Sequence, residues 1–169
     1  MFKKNKGLSL IEMIVVIAII TIFAGMISMD YLGARKRALF FEVVKGAITD
    51  LREVQSKALS GADLKDININ GYGICFEKER YFIFNDKKNN NNDKEYDGEN
   101  SGEKVKEKKL PSGIEATSNL DVFFEPPLGK IYVDNNSLVS PQGQKIVFEY
   151  IPDPTYRKEI TIYPNGLIE

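Results

Sequence analysis

The hydrophobic pattern divides the chain into three parts. From Met13 to Met29 no residue is charged, and from Leu8 to Met29 the only charge is Glu12. A helix of these 22 residues spans about 33 Å, enough to cross the hydrocarbon core of a bilayer. From Leu39 to Leu59 the pattern changes. Leu39, Phe40, Val43, Val44, Ala47, Ile48, Leu51, Val54, Ala58 and Leu59 recur at spacings of three and four, with Arg37, Glu42, Lys45, Asp50, Arg52, Glu53 and Lys57 at other positions. Together the two patterns predict one nearly continuous helix, Leu8 to about Leu59, ending at Ser60-Gly61. Its first half is apolar all round. Its second half, residues 31–62, carries one stripe that needs a domain to pack on.

The rest of the chain predicts short strands and turns. The strands are Gly71–Phe76, Arg80–Asn85, Gly113–Thr117, Asp121–Glu125, Lys130–Asp134, Lys145–Tyr150, Glu159–Tyr163 and Leu167–Ile168. Glu77-Lys78-Glu79 and Pro164-Asn165-Gly166 read as tight turns. Pro126-Pro127-Leu128-Gly129 and Pro152-Asp153-Pro154 read as breaks. The fold class is therefore α+β: a long N-terminal helix whose second half packs on antiparallel sheets, with residues 63–169 as a β-rich domain. Residues 86–109 hold seven lysines and seven acidic residues, with Tyr96 and Val105 as the apolar exceptions. That composition predicts a mobile polar loop.

Composition removes several chemistries. There is no His, so Ser-His-Asp and Cys-His catalysis and imidazole metal sites are excluded. The single Cys, Cys75, forms no intrachain disulfide and sits in an apolar stretch, as a buried small residue does. Asp121 and Glu125 do not by themselves define a carboxylate pair for catalysis, and no catalytic residue is assigned. Asp93-Lys94-Glu95-Tyr96-Asp97-Gly98-Glu99 partly imitates a calcium loop, but its twelfth position would be Lys104, not a bidentate Glu. No metal site and no cofactor is assigned. Arg157-Lys158 is a small electrostatic footprint for nucleic acid, and removal of Lys3, Lys4 and Lys6 takes the formal charge from -1 to -4. Nucleic acid is the minor partner reading.

The N-terminus is the informative part. Lys3, Lys4 and Lys6 precede the apolar run, as in a secretory signal. The run is longer than a signal core, and no small-x-small cleavage site follows it. Basic residues balance across it, with Arg35, Lys36 and Arg37 on the far side, so charge does not orient the span. An acid inside such a run is costly and points to a partner or a function.

Lys6-Gly7-Leu8-Ser9-Leu10-Ile11-Glu12 followed by the apolar run resembles the processing site of type IV prepilins and type II secretion pseudopilins, over about the first 35 residues. The resemblance implies a leader of residues 1–7 and cleavage between Gly7 and Leu8 by prepilin peptidase. It implies N-methylation on Leu8, and an assembly role for Glu12 opposite the new amine of a neighbouring subunit. Leu8 stands where Phe is commonest. The mid-helix Pro of many major pilins is absent, which points to a minor subunit. Gly73-Ile74, Leu110-Pro111-Ser112-Gly113-Ile114, Phe124-Glu125-Pro126 with Gly129, and Ile160-Thr161-Ile162 with Gly166-Leu167-Ile168 look like the minor pseudopilin H and FimT-type subfamily. The expected function is structural, not enzymatic. The expected partners are other subunits, the peptidase, a membrane assembly platform and the bilayer crossed by residues 8–30. The leader is expected in the cytoplasm and the C-terminal domain outside. The alternatives are a major pilin and a membrane-tethered module that binds DNA.

Overall fold

The computed structural model describes residues 9–61, 69–87, 94–96, 98 and 101–169. Helix α1 runs Leu10–Ser60 without a break. Gly61 stops it: with φ at 61° it leaves the helix in the left-handed region, and its N–H donates to the Ala58 carbonyl at 3.3 Å. The chain divides into two compact units, one up to Leu39 and one from Phe40 to Glu169.

In the first unit, the large apolar side chains named from Leu10 to Met26 are each between 48% and 77% exposed. Among the described residues, none buries them.

The second unit holds the core. Phe40, Val44, Ala47, Leu51, Val54 and Ala58 are buried on one face of α1, alternating steps of four and three. Leu39 and Leu59, at the two ends of the expected stripe, remain exposed. Nine strands follow: β1 Ile69–Glu77, β2 Arg80–Lys87, β3 Lys104–Lys109, β4 Ile114–Ala116, β5 Leu120–Glu125, β6 Lys130–Val133, β7 Asn136–Ser137, β8 Gln144–Tyr150 and β9 Arg157–Ile162. They form a six-stranded sheet, β3-β2-β1-β5-β6-β7, and a three-stranded sheet, β4-β8-β9. All pairings are antiparallel. The helix stripe shares one core with Tyr72, Ile74 and Phe76 of β1, Val122 and Phe124 of β5, Ile146 and Phe148 of β8 and Ile160 and Ile162 of β9. The predicted α+β class and antiparallel sheets are those observed.

The central strands of the larger sheet, β1, β2 and β5, are buried on both faces. Cys75, Phe82, Phe84 and Phe123 form a second cluster, separate from the main core, and Tyr96 and Tyr132 pack against it. Gly73 pairs with Phe84 on one side and Phe123 on the other. A Cβ at Gly73 would overlap the Phe84 ring, so the missing side chain lets that ring lie on the strand.

The polar loop expected over residues 86–109 is corrected at its two ends, while residues 88–93, 97, 99 and 100 lie outside the described residues. β2 continues through Asp86 to Lys87, and β3 pairs with it from Lys104 to Lys109. Composition misled because an edge strand is held by its backbone ladder, and its lysines also suit an edge that must not recruit further strands. Between the two strands, Tyr96 stacks on Phe82 with ring centroids 5.3 Å apart. The short strand β7 was also not anticipated. Asp134 and Asn135 both have positive φ, 45° and 60°, and make the two-residue turn that pairs β7 with β6.

Candidate processing and assembly site

The site begins where α1 begins. The Ser9 carbonyl accepts from the N–H groups of Glu12 at 3.0 Å and Met13 at 3.2 Å, which places Ser9 at the N-cap and Glu12 at the third helical position. Ser9-Leu10-Ile11-Glu12 thus has the spacing of a capping box, in which Ser and Glu serve each other's backbone N–H groups. An acid in the first turn also complements the helix dipole. Ser9 was not singled out from the sequence, although the Ser-x-x-Glu pattern before an apolar run was there to be read. Glu12 therefore has a local role available besides any intersubunit one. Gly7 and Leu8, the expected cleavage and methylation pair, lie outside the described residues.

Glu12 is exposed and is followed by exposed apolar side chains. Thr21 is the one hydroxyl early in the run, and it donates to the Ile17 carbonyl at 2.8 Å, so the polar atom is satisfied within its own helix. Among the described residues no helix is long and apolar enough to cross a membrane. The side chains described in the run are those of Leu10–Met26, whereas the uncharged sequence continues to Met29.

The other candidates take structural places. Arg157 pairs with Glu149 at 3.2 Å and Glu159 at 3.4 Å, and Lys158 Nζ lies 5.7 Å from the Phe41 ring centre. Asp121 accepts the Tyr96 backbone N–H at 2.8 Å, and burial raises its pKa above the ordinary carboxylate value. Glu125 accepts from the Tyr132 hydroxyl at 3.0 Å and faces Lys94 at 3.8 Å. Cys75 is buried, and burial followed by the nearby Asp121 charge pushes its thiol pKa upward, away from reactivity. In the calcium-like segment, Asp93, Asp97 and Glu99 lie outside the described residues. Among the described residues no group of three or more Cys, Asp or Glu is placed to hold a metal ion. A hollow of about 420 Å³ at the β1–β2 turn is lined by Glu77, Lys78, Glu79, Arg80 and Lys109, and Arg80 already pairs with Glu77 at 2.8 Å.

No curated protein matches the chain, and no solved structure matches it. Residues 2–28 match the family model of the prokaryotic N-terminal methylation motif. That match, at the head of a helix continuing into an α+β domain, supports the type IV pilin and pseudopilin family.

Proposed function

We propose that this chain is a structural subunit of a type IV pilus or a type II secretion pseudopilus, and that it serves as a minor rather than a major subunit. Prepilin peptidase cuts between Gly7 and Leu8 and methylates Leu8. Residues 8–30 anchor the precursor in the cytoplasmic membrane, with the leader in the cytoplasm and the β-domain outside. A membrane assembly platform then moves the subunit into a filament held together by the apolar helix. Glu12 pairs there with the Leu8 ammonium of a neighbour, because two desolvated charges left alone cost more than a pair.

One observation carries this reading: the match to the methylation motif spans residues 2–28, the range in which Gly7, Leu8 and Glu12 stand, and the large apolar side chains described from Leu10 to Met26 are exposed. The missing helix Pro favours the minor subunit. Arg157, engaged with two carboxylates, speaks against a DNA-capturing module.

The test is expression in a host with and without an active prepilin peptidase. With it, the chain loses seven residues and enters sheared surface or periplasmic filaments at low abundance. Without it, the chain keeps its leader and stays in the membrane. Filaments built from uncut chain would overturn the proposal.

A further inference from the structure

We infer that the loop between β8 and β9, residues 151–156, docks on the bilayer surface while the precursor is anchored, with Ile151 at the boundary of headgroups and acyl chains. This rests on the membrane reading above. The β8–β9 ladder fixes where the loop lies within the second unit. At one end Gln144 pairs with Ile162, and Ile162 bridges Ile168. The Ile168 carbonyl accepts from Arg52 at 2.9 Å, so this end is level with Arg52 on α1. Towards the other end, Lys158 Nζ reaches the Phe41 ring. Glu149 and Arg157 pair one step further on, and the loop joins the strands beyond them. The loop is thus at the end of the unit where the chain enters at Phe40.

Its chemistry suits an apolar medium. Ile151 is 48% exposed, with Pro152 and Pro154 exposed beside it. Every backbone N–H of the loop is already used. Ile151 donates to the Gly113 carbonyl at 2.8 Å, Asp153 to that of Tyr150 at 3.0 Å, and Tyr156 to that of Asp153 at 3.0 Å. Thr155 N–H donates to the Asp153 carboxylate at 3.1 Å, and Pro152 and Pro154 have no N–H to satisfy. A loop without a free donor leaves water without the penalty of a stranded one. Asp153, its one charge, also accepts from the Thr155 hydroxyl at 2.6 Å. The Tyr150 and Tyr156 rings, 6.2 Å apart, flank the loop with the apolar bodies and polar tips that membrane interfaces favour. Residues 31–39 separate the proposed anchor from Phe40, about 14 Å at the helix rise. The loop extends about 7–10 Å past Lys158 at the strand rise, and the headgroup layer is about 5–8 Å deep, which together match that connection.

The chain has no Trp, so a single introduced Trp reports on one place. The experiment puts the full-length Ile151→Trp and Pro154→Trp chains into phosphatidylcholine and phosphatidylglycerol vesicles with bromine on the acyl chains near the headgroup. Leu128→Trp is the control, since Leu128 precedes the Gly129 turn that closes on Leu59 at the opposite end of the unit. Flotation reports insertion. The expected result is that Ile151→Trp and Pro154→Trp both emit at shorter wavelength and are quenched by bromine, and that Leu128→Trp is not. Adding Ile151→Asp to Pro154→Trp should lower the ratio of docked to undocked loop about tenfold or more, as for the loss of one buried apolar side chain. Floated chains with water-like, unquenched emission from both loop positions overturn the inference and leave the membrane reading intact. Equal quenching of Leu128→Trp also overturns it, because no particular loop then faces the lipid. Emission that shifts only in filaments, without bromine quenching in vesicles, overturns it and assigns the loop to a neighbouring subunit. Failure of all the chains to float overturns the membrane reading itself, and the inference falls with it.

Discussion

Asp50 of α1 and Lys108 of β3 are joined by a 2.6 Å ion pair that ties the helix to the edge of the six-stranded sheet. The same Asp50 oxygen accepts from the Tyr81 hydroxyl at 2.5 Å. The Asp50 side chain is 5% exposed and that of Lys108 is 37% exposed, so losing each partner has a different consequence. Lys108→Ala strands a buried carboxylate, at a cost of about 3 kcal/mol. Asp50→Asn leaves Lys108 free to turn to water and keeps an acceptor for Tyr81, at a cost of about 1 kcal/mol. Urea unfolding of the detergent-solubilised chain should rank them in that order. The reverse order would show that Asp50 is not anchored as described.

Tyr81 and Cys75 make stability fall on the alkaline side. Burial, and then Asp50, raise the Tyr81 pKa, and burial raises that of Cys75. Groups raised in the folded state contribute fully below their unfolded pKa values, about 8.5 for Cys and about 10 for Tyr, and that contribution is lost as pH rises beyond them. Stability should therefore decline above pH of about 8.5 and more steeply above about 10. Tyr81→Phe should flatten the second part of the decline. The same burial predicts that Cys75 stays unreactive toward a thiol reagent at mildly alkaline pH until the chain is unfolded. Prompt labelling of the native chain would contradict it.

Gly73 is required by its neighbours, not by its own backbone angles. A methyl group there would occupy the space of the Phe84 ring, one of the side chains of the outer cluster. Gly73→Ala should cost about 1–3 kcal/mol, the range of overpacked sites. Adding Phe84→Leu, which vacates part of the ring volume, should recover part of that loss in thermal melts. Additive losses would show that the ring does not lie where described.

Glu12 can be tested for its two roles separately. Gln serves a capping box as Glu does but carries no charge. Glu12→Gln should leave the start of the helix intact and reduce filament yield at least tenfold, the change expected of about 1.4 kcal/mol or more from a lost ion pair. Ser9→Ala should weaken the helix start by about 1 kcal/mol and leave the charge pairing in place. If only Ser9→Ala impaired assembly, Glu12 would be a cap and not an assembly residue.

Much of this was legible because the signals were periodic. The steps of four and three from Phe40 to Ala58 are visible in the bare sequence, and the same residues line the core. Gly61 marked the helix end, and Lys78-Glu79 the first hairpin turn. The misses share one trait: none is announced by a period of apolar residues. β3, Lys-Val-Lys-Glu-Lys-Lys, is held by backbone pairing with β2 and by Lys108 reaching Asp50. Tyr96 covers the outer cluster from within a polar segment, and one ring among charged residues has no period to reveal it. At the candidate site, Glu12 stood out as an acid in an apolar run. Ser9 did not, because a capping Ser resembles any other Ser until the helix start is known.

The central claim is that a peptidase makes a new N-terminus just ahead of this helix. Intact and N-terminal mass spectrometry of the protein extracted from its native membrane tests it directly. The account predicts a chain that begins at Leu8 and carries one added methyl group on its amine. A native, functioning protein that still begins with the first seven residues would contradict it.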